Sequence, residues 1–242
     1  MREDSSKRHI RILKKTLKLA ASKSFLSLKI SDLAKASNIS IGTFYSHFKN
    51  KEDLILSLAK SSWEGRLEVF TCLFSDEGLD VDSRYIGGIF CDYLFSFDYP
   101  ALFEAEQLAA TSAVWNAGSS GIKSEILDVH RKIKNQVSAG ALKAIQSGEF
   151  KSNNDSKNQA CLMDTGVWSL MMGSSYVTYA ENIMGESNKH QIAIPAFLKE
   201  NLKALCLGYG WLSKNPSDDI ERIATHCSKN GHYNQLTGKN LI

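Results

Sequence analysis

Apolar residues recur at three- and four-residue steps along nearly the whole of this 242-residue chain. No segment alternates apolar with polar as a half-buried strand would, and no internal repeat is present. Three prolines leave long stretches free to stay helical, so the expected fold class is all-α. Breaks fall at Gly78, Pro100, Gly118 with Gly121, the polar run 151–155, Gly185 and Pro216. Between them, helices are expected at 31–37, 41–48, from Lys51 onward, 82–97, 101–117, 124–147, 156–184, 195–212 and 217–227. Pro100 and Pro195 suit a first helical turn or the residue before it, where a missing N–H costs nothing. The polar tail 228–242 is expected to fray.

An earlier helix carries Ile10, Leu13, Leu17, Ala20, Ala21 and Phe25 as an apolar stripe. Lys7, Arg11, Lys14, Lys15 and Lys18 fall on a separate arc, a row of positive charge. Residues 1–60 hold thirteen Lys or Arg against five Asp or Glu, a net of +8. The whole chain carries +3, which leaves −5 on the other 182 residues. A basic head on an acidic body points to a polyanion partner met at one end. No apolar signal core or bilayer-length run appears, so a cytoplasmic protein without a membrane partner is expected. Cys72, Cys91, Cys161, Cys206 and Cys227 show no metal or redox spacing and read as reduced, buried or half-buried thiols.

The stretch 30–55 is the most informative. Ile30, Leu33 and Ala34 can face inward from one short helix, and Ile41, Phe44 and Phe48 from the next, with Ile39 plugging the turn. Two short helices sharing so small a core form a helix-turn-helix. Asn38 suits the left-handed backbone of the turn. Gly42 opens the second helix without a side chain, so its backbone can approach a surface closely. Ser40, Thr43, Tyr45, Ser46 and Lys49 remain outside. A helix entering the major groove reads bases near its amino end and anchors to phosphates with hydroxyls and cations. Lys51, at the start of the following helix, adds its charge to the positive end of that helix dipole, which suits a phosphate.

Residues 23–54 resemble the DNA-binding signature of the TetR family of bacterial transcriptional regulators. The run from Ile39 to Phe48, followed by Lys51 and Leu54, carries the resemblance. It implies that Thr43 and Tyr45 contact the operator, that Lys51 holds a phosphate, and that His47 packs beside or donates to the backbone. Ser40 and Ile41 would lie at the base-reading edge, with Gly42 between them and Thr43. Three positions depart from the family pattern: Ser24 and Asn38 replace glycines, and Lys29 stands where serine or threonine usually caps the second helix. Lysine cannot accept the orphan N–H groups, so this cap should be weaker by about 1 kcal/mol. Lys29 could instead reach a phosphate.

The expected organisation is an amino-terminal three-helix DNA-binding domain, 1–60, and a larger helical domain, 61–242. The resemblance implies that the second domain dimerises and encloses a small effector. In 156–184, glycines and serines lie among bulky residues, as close helix approach requires. With 195–212 this could form a four-helix interface between two copies. Trp168, Met172, Tyr176, Phe197, Leu198, Leu202 and Leu205 are its candidate residues. Trp63, Phe70, Phe74, Tyr93, Phe97, Phe103 and Trp115 line three consecutive helices. Phe70, Tyr93, Phe97, Phe103 and Trp115 are the candidates to contact a largely apolar or aromatic effector, although helix cores are usually built this way and core packing is the commoner role for each. His130, His190, His226 and His232 are scattered and suggest no metal. No cofactor motif or nucleophile–base pair appears, and Glu104 and Glu106 read as solvated surface. A ligand-responsive dimeric repressor on a palindromic operator is therefore expected. The alternatives are an effector-independent regulator or activator, and a small-molecule-binding enzyme.

Overall fold

A computed structural model describes residues 4–20, 23–185 and 194–230. His190, His232, Ala21 and the tail beyond 230 lie outside the described residues. Within those residues the regular structure is helical, joined by an antiparallel bridge between Phe150 and Trp211. The helices are α1 (Ser5–Ala20), α2 (Ile30–Ala36), α3 (Ile41–His47), α4 (Lys51–Phe74), α5 (Val81–Asp98), α6 (Pro100–Ala109), α7 (Ser112–Ala117), α8 (Ser120–Gln146), α9 (Ser156–Met184), α10 (Ala196–Gly208) and α11 (Pro216–Asn230). The all-α expectation holds.

Two boundaries differ instructively from the sequence pattern. The helix expected over 101–117 is two helices, because Thr111 caps α7 by accepting the Val114 N–H at 3.4 Å. Pro195 caps α10 from outside, and that helix ends at Gly208 rather than at 212.

The chain divides into two compact units. Of the described residues, those within 1–65 and 99–130 form one, and those within 66–98 and 131–239 form the other. The first has a single apolar core. Ile12, Leu13, Phe25, Leu33, Phe44 and Phe48, from the first three helices and the segments next to them, pack with Leu54, Leu56 and Leu58 of α4 and with Leu102, Ala105, Val114 and Ile126. Ile12 is fully buried while Ile10 is exposed, so the inner stripe of α1 is rotated from the one expected. Arg11 also leaves the expected basic row: its guanidinium donates to the carbonyl of Ser37 and pins α1 to the end of α2.

Within this unit the start of α4 grips the turn before α8. The Asn50 side chain accepts the Asp53 N–H at 2.7 Å, and Asp53 Oδ2 accepts the Lys49 N–H at 3.3 Å. This is a reciprocal helix cap. Both side chains also reach outward. Asn50 Nδ2 donates to the Ala117 carbonyl at 2.9 Å, and Asp53 Oδ1 accepts the Ser119 N–H at 2.7 Å. Between those two contacts, Gly118 lies directly against Leu56, which is completely buried. A methyl group there would collide with Leu56 Cδ1.

Glu104 and Glu106 of α6 are not the solvated pair expected. Glu106 is buried, and Glu104 accepts hydrogen bonds from Ser24 and from the Phe25 backbone. Glu104 thus helps fix a short 3-10 turn, Phe25–Ser27, that Ser24 itself caps through the Leu26 N–H at 3.2 Å. Burial pushes the Glu104 carboxyl up from its ordinary range, and these two donors oppose the shift.

The second unit is built around α5, whose residues from Tyr85 to Ser96 are all buried. Helices α9 and α11 pack on it, and α10 packs on both of those. Gly87 and Gly88 interrupt an otherwise bulky helix because Cys227 Sγ and a Phe70 ring carbon stand 3.1 and 3.3 Å from where their Cβ atoms would be. Cys91, Cys206 and Cys227 are buried thiols, whereas Cys161 stands exposed on α9, contrary to expectation. Among the described residues no helix is long and apolar enough to cross a membrane.

The joint at α4 makes a direct prediction. Gly118→Ala should lower stability by about 1–3 kcal/mol, the usual cost of overpacking a filled core. Thermal unfolding followed by circular dichroism would show it; an unchanged midpoint would mean that Leu56 can move aside.

Candidate nucleic-acid interface

Helices α2 and α3 are joined by a turn that needs one left-handed residue. Asn38 supplies it with φ of 51°, the one positive φ outside glycine among the described residues. The Ile39 N–H then closes on the Ala34 carbonyl at 3.0 Å. Helix α3 starts at a well-formed cap: Ser40 Oγ accepts the Thr43 N–H at 3.0 Å and lies 2.9 Å from Thr43 Oγ1. By contrast, Lys29 at the cap of α2 makes no side-chain capping bond and points to solvent. The missing cap is offset by the packing of Leu33 and Ala34 and by Asp32 in the first turn, near the positive end of the helix.

Helix α3 is short and two-faced. Phe44 and, just beyond its end, Phe48 are buried in the core. Ile41 and Tyr45 are each 50% exposed, a large apolar area to leave in water. Gly42 and Ser46 are also exposed, and Thr43 is partly so. Among the described residues, Ser40 Oγ, at 3.8 Å, is the one atom near the position of a Cβ on Gly42, so its backbone is open on that side. The Ser46 hydroxyl turns back to donate to the Thr43 carbonyl at 2.7 Å.

Lys51 opens α4 but does not hang free. Its ammonium donates to the Leu26 carbonyl at 2.9 Å and so ties α4 to the 3-10 turn. Partial burial lowers its pKa, with Glu52 opposing. A lysine has three donors, and this bond uses one of them. Lys7, Lys15, Lys18, Lys29, Lys35 and Lys49 are exposed elsewhere on the same unit.

His47 is half-buried and lies against α1, its ring centroid 5.8 Å from that of His9. His9 also packs on Phe48 at 4.7 Å. The imidazole of His9 therefore buttresses the end of α3. Burial lowers its pKa most, His47 and Lys60 lower it further, and Glu125 opposes. Lys60 is itself held by Glu64 and Glu125, each at 3.1 Å. Sequence periodicity did not reveal this cluster, because His9 sits between the expected apolar and basic stripes.

The aromatic candidates for an effector site divide between the units. Phe70 and Tyr93 are buried and Phe97 half-buried in the second; Phe103, buried, and Trp115, half-buried, belong to the first. Tyr93 hydrogen-bonds Thr178 at 3.0 Å. Of the interface candidates, Trp168 is 60% and Tyr176 59% exposed, and Phe197 is exposed as well. Met172 and Leu205 are intermediate. Leu198 and Leu202 are completely buried within the chain itself, where α10 packs on α9 and α11.

The His9 geometry fixes a pH response. A folded-state pKa below the ordinary 6.5 means that the neutral ring is favoured in the fold. Its contribution to stability is complete above about pH 6.5 and is lost as pH falls below that value. Chemical denaturation at pH 7.5 and 5.5 should therefore show a loss of stability on acidification that His9→Gln reduces. An equal loss in the variant would remove His9 from the account.

Comparison with known proteins agrees with this geometry. Residues 12–58 match the family model described as bacterial regulatory proteins, tetR family. No curated protein sequence matches the chain. Several solved structures share the fold. The TetR family transcriptional regulator PfmR from Thermus thermophilus superposes with a TM-score of 0.57 at 12% identity, over 84% of this chain and 100% of its own. The transcriptional regulator FadR from Bacillus subtilis, solved with stearoyl-CoA, gives 0.59 at 18% identity, over 82% and 97%. RolR, solved with resorcinol, gives 0.56 at 14% identity, over 90% and 95%. Residues 12–58 thus match the tetR family model over the helix-turn-helix segment, and the solved structures share the fold of the chain.

Proposed function

We propose that the protein is a dimeric, ligand-responsive repressor that binds a palindromic operator in the cytoplasm. The observation that carries this reading is the outer face of α3. Ile41, Gly42 and Tyr45 stand exposed there beside the Ser40–Thr43 cap, while Phe44 and Phe48 hold the helix from beneath. That is the form of a recognition helix whose first turn meets base edges. In this reading Ser40, Ile41, Gly42, Thr43 and Tyr45 touch the groove and its walls. Lys29 and Lys51 hold phosphates, and His47 supports the helix from the side.

Dimerisation is supported by the surface of the second unit. Leu162, Trp168, Tyr176 and Val177 on α9, with Phe197 and Leu207 on α10, leave large apolar side chains in water. Gly173 has open space where a Cβ would be, which would let another helix approach closely. A second copy is the natural occupant of such a face. Two recognition helices would then meet successive major grooves about 34–36 Å apart. The FadR and RolR structures were solved with small molecules, which supports the effector-responsive part of the reading.

Three experiments test it. Binding to palindromes upstream of the protein's own gene should weaken steeply with salt, since each phosphate contact releases counterions. Tyr45→Ala should weaken specific binding by about tenfold or more without altering the melting temperature. Salt-independent binding, or a Tyr45→Ala variant of full affinity, would reject the interface. Sedimentation should show a dimer that Tyr176→Asp converts to a monomer, and a persistent dimer would place the contact elsewhere. Effector response is read separately, as release of operator by small molecules.

A further inference from the structure

Helices α4, α5 and α9 together bury a polar group inside the second unit. Arg66 of α4 donates to Asp92 Oδ1 and, at 3.1 Å, to the Asp92 carbonyl. Its other terminal nitrogen donates to Ser96 Oγ at 3.0 Å, and the guanidinium carbon lies 4.8 Å from the centre of the Phe95 ring. Arg66, Asp92, Ser96 and Ser175 are all more than nine-tenths buried.

This group is incomplete on one side. Among the described residues Asp92 Oδ2 is buried and has no hydrogen-bond partner. Ser175 of α9 is poorly served too: its hydroxyl reaches Ser96 Oγ at 3.5 Å and Met171 Sδ at 3.7 Å, both long for hydrogen bonds. A buried carboxylate oxygen needs a donor, and natural cores rarely leave one without. Burial pushes the Asp92 carboxyl up, and the Arg66 guanidinium opposes that shift.

We propose that Asp92 Oδ2 and Ser175 Oγ anchor the polar end of the effector, and that this effector is a neutral aromatic molecule bearing a hydrogen-bond-donating hydroxyl. The proposal rests on the effector-binding reading above and adds the chemistry of the ligand. The acceptor that lacks a partner selects a donor. The Arg66–Asp92 pair already has zero net charge, so an ion of either sign would bring an uncompensated charge into a site removed from water. A carboxylate would also face Asp92 Oδ2 directly. The aromatic body matches Phe95 and the apolar surroundings.

The test uses the full-length protein and three ligands of one shape: 2-naphthol, 2-methylnaphthalene and 2-naphthoate. Calorimetric titration should give 2-naphthol about tenfold or more tighter binding than 2-methylnaphthalene, with 2-naphthoate weakest. Asp92→Asn should reverse the order of the two polar ligands. Naphthol falls to the level of the methyl compound, and naphthoate gains because Arg66 has lost its counter-charge. A packing defect would weaken all three alike, and that result would overturn the proposal. Ser175→Ala leaves the ion pair intact and should weaken naphthol several-fold while sparing the methyl compound. Failure of naphthol to bind, or equal affinity for naphthol and 2-methylnaphthalene in the unaltered protein, would also overturn it. Aromatic binding indifferent to the hydroxyl would leave the effector reading standing without this anchor. The effector reading itself fails only if no small molecule releases operator.

Discussion

Asp53 takes two backbone N–H groups at once, from Lys49 on its own side and from Ser119 across the first unit. Asn50 pairs with it, capping the helix with its oxygen and donating its amide to Ala117. These four bonds fix the direction in which α4 leaves the helix-turn-helix, because the first turn of a helix has little else to hold it. Phe44 and Phe48 can be covered only if Leu54 and Leu58 arrive from that direction. The outer face of α3 is therefore defined by a joint lying well away from it in sequence, between residues 50 and 119.

The same device recurs in the first unit. Arg11 closes the end of α2, Glu104 closes the start of the 3-10 turn, and Lys51 holds that turn from below. Each uses a charged side chain to satisfy backbone groups that a short helix cannot satisfy for itself. Hydrogen bonds of this charge-assisted kind are the stronger ones. Helices of seven residues, such as α2 and α3, are not stable alone and depend on such support together with the shared core.

Much of this architecture is legible in the sequence. Asn38, Ser40, Gly42 and the spacing of Phe44 and Phe48 announce the turn and the buried side of α3, since local geometry decides them. The division of α6 from α7 is less visible, because Thr111 caps a helix whose apolar pattern continues unbroken on either side. Arg11 and Glu106 mislead for a related reason: a charged residue reads as surface until its buried partner is known. An asparagine followed by an aspartate three residues later does signal the cap at Asn50, but nothing local shows that both reach residues near 118. The Arg66–Asp92 pair is likewise invisible, its members being 26 positions apart on different helices.

The bond from Lys51 to Leu26 bears on how an anion would be met at this end of the molecule. A lysine on an open surface samples many rotamers and gives up that freedom when it is pinned, at a cost of about 1.5–2 kcal/mol. Here the chain of methylenes is already held at its tip by a carbonyl, so much of that loss is incurred on folding. A phosphate oxygen arriving at the remaining two donors would find a stationary cation beside the first turn of α4, and would lose less of its attraction to the disorder it removes.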